Sequence, residues 1–121
     1  MYNNEFSLGP FKRFYCIENS SLQPMRGWHA HRFESKAFVS VFGKIRIGAV
    51  EVQDWAHPDR NAEIFSQELG PDTADVYFVP AGFANGILSL EPGARVMVFS
   101  SATLQESMQD DYRFDKDFWK L

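Results

Sequence analysis

The chain has 121 residues, a formal charge of −4 from 12 Lys and Arg against 16 Asp and Glu, and a composition 45% hydrophobic and 23% charged. That length predicts a single domain over residues 1–121 and excludes a multi-domain machine, while the composition excludes an intrinsically disordered chain. The acidic balance opposes general affinity for nucleic-acid polymers or acidic membrane surfaces, and the lone Cys16 excludes an intramolecular disulfide.

In chain order, the polar stretch over residues 1–6 carries no signal-peptide pattern, and no apolar run reaches the ~18 residues of a membrane span, so a cytoplasmic location is expected. Phe11–Glu18 reads as a first strand and Arg26–His31 as a second, short one after Pro24. Lys36–Phe42 and Lys44–Val52 flank Gly43, where a tight turn costs a glycine little, and the two are expected to pair. In the latter, Ile45, Ile47 and Ala49 share one face while Lys44, Arg46 and Gly48 share the other, the alternation of a half-buried strand. Asp54–Asn61, with Pro and several turn formers, reads as an exposed loop, and Glu63–Leu69 as a strand beyond it.

Val76–Val79 leads into the turn Pro80-Ala81-Gly82, followed by strands over Gly86–Leu90 and Arg95–Ser100. Thr103–Asp110 reads as one short helix near the C-terminus, before a mixed tail over Tyr112–Leu121. About eight short strands between turn signals predict an all-β sandwich or barrel. A jelly roll can hold a ligand between its sheets, and twelve Phe, four Tyr and three Trp are enough to line a cavity as well as fill a core.

The densest polar group is Arg26-Gly27-Trp28-His29-Ala30-His31, followed by Glu34 and Lys36. On a regular strand His29 and His31 leave one face together, a spacing that suits metal binding or acid–base work; the structural alternative packs one ring and solvates the other. Arg26 has an ordinary alternative as a surface ion-pair partner and Lys36 as a solvated strand end. The Pro–Gly turn at Pro80–Gly82 needs no functional explanation. Cys16, in an apolar stretch, reads as a small hydrophobe, and His57, before Pro58, as a loop residue. There is no nucleophile elbow, phosphate loop, dinucleotide fingerprint or Cys-x-x-Cys.

Three segments nevertheless form a pattern: Arg26-Gly27-Trp28-His29, Lys36-Ala37-Phe38-Val39-Ser40-Val41-Phe42-Gly43, and Val79-Pro80-Ala81-Gly82-Phe83-Ala84-Asn85-Gly86. Together they resemble the dTDP-4-dehydrorhamnose 3,5-epimerase family, over roughly Arg26 to Ser101. The His29-Ala30-His31 tripeptide also resembles the dTDP-4-keto-6-deoxyglucose 3,4-ketoisomerases. The resemblance implies a cupin-type jelly roll and a homodimer acting without metal or cofactor on a dTDP-linked 4-keto-6-deoxy sugar.

By the same resemblance, His29 is the base beside the C4 carbonyl, Lys36 the cation that steadies the enolate, and Arg26 the diphosphate ligand. Asp115 is the acidic partner of the base. His31 and Asn85 complete the substrate site, and Phe78 and Trp28 stack on the nucleotide or wall the sugar pocket. Two positions depart from the epimerase pattern: Asn85 replaces a histidine, and Val98 falls where an active-site tyrosine is expected. Without that tyrosine the pattern favours ketoisomerisation, or a single epimerisation with water or Tyr77 as donor, whereas Lys36 favours the epimerases. Two other classes stay open, a metal-dependent cupin oxygenase using His29, His31 and Glu34, and a non-catalytic sugar-nucleotide binding module.

Overall fold

Short β-branched and aromatic runs form two antiparallel sheets in this computed structural model, which describes residues 5–20 and 23–121. The strands are β1 (Arg13–Glu18), β2 (Met25–His31), β3 (Lys36–Phe42), β4 (Ile45–Glu51), β5 (Phe65–Leu69), β6 (Tyr77–Val79), β7 (Phe83–Ser89), β8 (Arg95–Ser100) and β9 (Tyr112–Arg113), with helix α1 (Leu104–Met108) before the last. One sheet has the order β1-β8-β3-β6 and the other β5-β4-β7-β2-β9. This is the expected all-β jelly roll. Thr103 caps α1 and forms a reciprocal box with Glu106, so the short helix starts where a Thr-x-x-Glu sequence places it.

The pairing expected across Gly43 does not form. β3 pairs with β6 and β8, while β4 pairs with β5 and β7, so the two runs lie in opposite sheets. Gly43, at φ +71°, turns the chain from one sheet to the other; a Cβ there would lie 3.2 Å from the Ala94 Cα. Ser40 Oγ fixes the corner by donating to the Gly43 carbonyl at 2.6 Å. Both runs carry an apolar inner face, and packing those faces against each other buries more than hydrogen-bonding them edge to edge.

Phe38, Val96 and Val98 from the first sheet meet Ile45, Ile47 and Ile87 from the second to make the central core. The opposite face of the second sheet is solvated at its β4–β5 edge, where Arg46 pairs with Glu68, but is covered over the rest, contrary to its half-buried pattern. Trp28, Ala30, Val50, Val52 and Ala84 lie there under the C-terminal tail, whose Phe114, Phe118, Trp119 and Leu121 pack across them. A Cβ on Gly48 would sit 2.6 Å from Leu121 Cδ1, so the glycine makes room for the tail. On the outer face of the first sheet Phe6 and Phe11 pack against Phe99, at ring-centroid distances of 5.9 and 6.2 Å. The ring-rich composition therefore serves the outside of both sheets more than the space between them.

Candidate active site

Arg26 and His29 are three residues apart and would point to opposite faces of a regular strand. In β2 they do not, because Gly27 pairs with Gly86 and His29 with Asn85, which leaves Trp28 as an extra, bulged residue. Arg26, opposite the inward Ile87, and His29, opposite Asn85, therefore share the inner face, and Trp28 is turned outward. Gly27 adopts φ +142°, and a Cβ there would come within 2.9 Å of the Gly86 Cα, so glycine is required on steric grounds.

A cavity of about 20 Å³ lies between the sheets, lined by Tyr15 and Ile17 of β1, Arg26, Gly27 and His29 of β2, Lys36 and Phe38 of β3, and Asn85 and Ile87 of β7. The fold thus brings Arg26, His29, Lys36 and Asn85 together. Asn85 Nδ2 donates to the His29 carbonyl at 3.1 Å and braces that strand. Burial, the Arg113, Arg26 and Lys36 charges, in that order, hold His29 down at about 4 from its ordinary 6.5, with Asp111 opposing them. The imidazole is accordingly neutral at neutral pH and able to accept a proton.

Tyr15 is the residue that sequence reasoning missed. It pairs with Val98 across β1 and β8, so its ring sits on the inner face beside the position expected to hold a tyrosine. Its ring carries Arg13 Cζ at 5.0 Å and Lys36 Nζ at 5.7 Å from the centroid. The alternation of FKRFYCIE places Tyr15 and Ile17 on one face with Arg13, but only the register to β8 identifies that face as the inner one.

Behind Lys36 is a buried polar cluster. Glu34, 3% exposed, accepts from the Ser100 hydroxyl at 2.5 Å and from Arg13 at 3.3 Å, and lies 3.8 Å from Lys36 Nζ. His31 joins this cluster rather than the cavity: its Nδ1 meets the Asp110 carbonyl at 2.5 Å and lies 3.5 Å from Glu34 Oε1. Burial, followed by the Lys36 charge, lowers its pKa. Asp110 also accepts from the backbone N–H groups of Arg32, Phe33 and Glu34, tying the β2–β3 loop to the end of α1.

Besides His31, expected in the substrate site, three further expectations require correction. Trp28 is fully buried on the outer face, edge-on to Trp119 and donating from Nε1 to the Trp119 carbonyl at 2.9 Å, because the bulge rotates it away from the cavity. Phe78 points to the outer face of the first sheet, since its neighbours Tyr77 and Val79 take the inner one. Asp115 is exposed in the tail and accepts from the Asp117 N–H at 2.8 Å; the acidic group whose charge acts on His29 is Asp111. Tyr77 packs on the central core and does not line the cavity, and burial raises its pKa.

Among the described residues no group of three or more His, Cys, Asp or Glu is arranged to hold a metal ion. Glu34 is committed to Arg13, Lys36 and Ser100, and an amide stands at Asn85, so the donor set of a metal-binding cupin is not assembled. No helix among the described residues is long and apolar enough to cross a membrane.

No protein-family model matches the chain, and neither does any curated protein. Solved structures do. The dTDP-4-dehydrorhamnose 3,5-epimerase of Elizabethkingia anophelis superposes with a TM-score of 0.70 at 19% identity, over 87% of this chain and 57% of that one. The Bacillus anthracis epimerase, with TDP and pyrophosphate bound, gives 0.73 at 21% identity, over 90% of this chain and 65% of that one. A sugar 3,4-ketoisomerase from Thermoanaerobacterium thermosaccharolyticum, in complex with TDP, gives 0.64 at 19% identity, over 89% and 70%. The chain is therefore similar in fold to both kinds of protein that its sequence resembles, and it spans little more than half the length of the first epimerase.

Proposed function

We propose that the chain is a sugar-nucleotide isomerase that enolises a dTDP-linked 4-keto-6-deoxy sugar, as an epimerase of the dTDP-4-dehydrorhamnose type. The observation that carries this reading is the convergence of a neutral His29, a buried Lys36 and the Tyr15 ring on one space between the sheets. A carbonyl acidifies its α-hydrogens; neutral imidazole accepts one, and a fixed ammonium offsets the charge that develops on oxygen. Tyr15 supplies a hydroxyl from the opposite sheet, the direction from which reprotonation must come if configuration is to invert. Arg26, exposed at the edge of the cavity, is the diphosphate ligand in this reading.

A cavity of about 20 Å³ admits a water-sized group and not a hexose, so the reading requires the exposed Arg26 and half-buried Tyr15 side chains to part on binding. The 3,4-ketoisomerase reading is supported by the His29-Ala30-His31 tripeptide and by Val98, and shares every step up to the enolate. A binding module without turnover is the outcome if the cavity stays closed to sugar. A homodimer and a cytoplasmic location are proposed on the family resemblance.

Incubation with dTDP-4-keto-6-deoxyglucose in deuterium oxide tests the proposal. Deuterium is expected at C3 or C5 with the wild type and not with His29→Ala, and the product's proton couplings separate epimer from ketoisomer. Absence of exchange with the wild type refutes enolisation altogether.

A further inference from the structure

Strand β9 contributes a second arginine to the region around His29. In the β2–β9 pair Arg113 stands opposite His29, and Tyr112 opposite Ala30. Directly opposed residues of an antiparallel pair project from the same face. Tyr112 follows Ala30 to the outer face, where its ring lies 4.8 Å from that of Trp55, and Phe114 returns to the same face against Trp119 at 5.5 Å. Two aromatic anchors thus fix the parity of the strand, and Arg113 between them leaves on the His29 side, at the rim of the sheet.

The Arg113 guanidinium is largely exposed and Nε donates to Asp111 Oδ2 at 3.1 Å, with side-chain exposures of 69% and 34%. An exposed pair of this kind is held weakly and is exchanged at little cost. Arg26, by contrast, has no carboxylate partner among the described residues. Arg113 is the charge that acts most strongly on His29, ahead of Arg26 and Lys36. Lys36 is countered by Glu34 at 3.8 Å and Arg113 by Asp111, so an Arg113 released from Asp111 makes, with Arg26, a positive locus beside the neutral imidazole, and such a locus attracts a small multivalent anion where an acidic protein would not hold a polymer.

We propose that Arg113 is a second anion-binding residue, parked on Asp111 in the free protein and exchanging it for the diphosphate of a nucleoside diphosphate that Arg26 engages from the neighbouring strand. Two planar guanidinium groups match the several oxygens of a diphosphate, each offering paired N–H donors. This assignment rests on the sugar-nucleotide reading for the ligand's class, but its geometry is independent of the reaction carried out.

Calorimetric titration of the full chain with dTDP, with thymidine as the phosphate-free control, tests the assignment. Arg113→Ala is expected to weaken dTDP binding about tenfold or more, the loss of a hydrogen bond to a charged group, and Arg113→Lys to lose less. Asp111→Asn, which frees the arginine, is expected to tighten dTDP binding, an opposite sign that a purely structural role does not produce. In the ligand-free protein, Arg113→Ala is expected to raise the His29 titration midpoint, read from imidazole proton shifts. Equal dTDP affinity in wild type and Arg113→Ala overturns the role of Arg113 and leaves the isomerase reading standing. A wild type that binds neither dTDP nor pyrophosphate overturns both.

Discussion

Glu34→Gln isolates the charge in the buried cluster behind the site. The substitution preserves shape and leaves an amide oxygen for the Ser100 hydroxyl, so what it removes is the negative charge facing Arg13 at 3.3 Å and Lys36 at 3.8 Å. The side chains of Arg13 and Lys36 are 23% and 9% exposed, so Arg13 can regain water while the Lys36 ammonium remains inside without a counter-charge. Removing one partner of a buried pair costs about 3–5 kcal/mol, and the rehydration of Arg13 puts the expected loss near the lower end, about 3 kcal/mol. For a domain of this size, at roughly 3–5 °C per kcal/mol, the melting temperature falls by roughly 10–15 °C. Denaturant unfolding of wild type, Glu34→Gln, Lys36→Met and the double variant closes the cycle, with a coupling of at least about 1 kcal/mol expected for groups in contact. A single-variant loss below about 1 kcal/mol, or a coupling near zero, would refute the view that Glu34 is what holds Lys36 in place.

The pH dependence follows from His29, with His31, also lowered by burial, adding to it in the same direction. His29 titrates at about 4 in the fold and near 6.5 when unfolded, so between those values the unfolded chain binds more protons, and stability rises with pH through that window and is lost as pH falls from about 6.5 toward 4. Urea midpoints measured across pH 4–7 should show that slope flattening in His29→Gln, and an unchanged slope counts against the burial of the ring. The acid limb of turnover should likewise fall near pH 4, since the base acts neutral. Tyr15→Phe should retain deuterium exchange but lose inversion of configuration; inversion at the wild-type rate would assign the donor elsewhere. Gly27→Ala should destabilise the domain by more than about 1 kcal/mol through a disfavoured φ and contact with the Gly86 backbone, and a folded variant with normal stability would contradict the bulge geometry.

Most strands were legible because alternation and turn residues are local signals. Ile45, Ile47 and Ala49 indeed face the core, and Thr103 with Glu106 starts the helix. What failed depended on partners. Whether β3 and β4 pair or separate is decided by the apolar faces they both carry, which their own sequence does not distinguish from a hairpin across Gly43. The site showed the same division. Arg26, His29, Lys36 and Asn85 could be named from motif residues, yet regular-strand parity sends Arg26 and His29 to opposite sides, and only the bulge at Trp28 reconciles them. Tyr15 was hidden because its place beside Val98 is a cross-strand relation, and Arg113 because a two-residue strand has too little pattern to read.

Aromatic residues connect these observations. A chain this short has limited interior, and a cavity between its sheets subtracts from the apolar volume available to hold them. The second sheet recovers burial on its outer face, where Trp28 and Trp119 meet edge to face at 5.5 Å and Phe118 packs on Trp119 at 4.6 Å. That outer cluster draws Trp28 out of the strand's alternation, and the same displacement leaves Arg26 and His29 together on the inside. It also holds Tyr112 and Phe114, the two anchors that aim Arg113 at the same rim. Apolar burial on one side of a single sheet thereby determines which polar groups meet on the other, and the aromatic residues of the outer cluster shape the site without lining it, which is left to Tyr15 and Phe38.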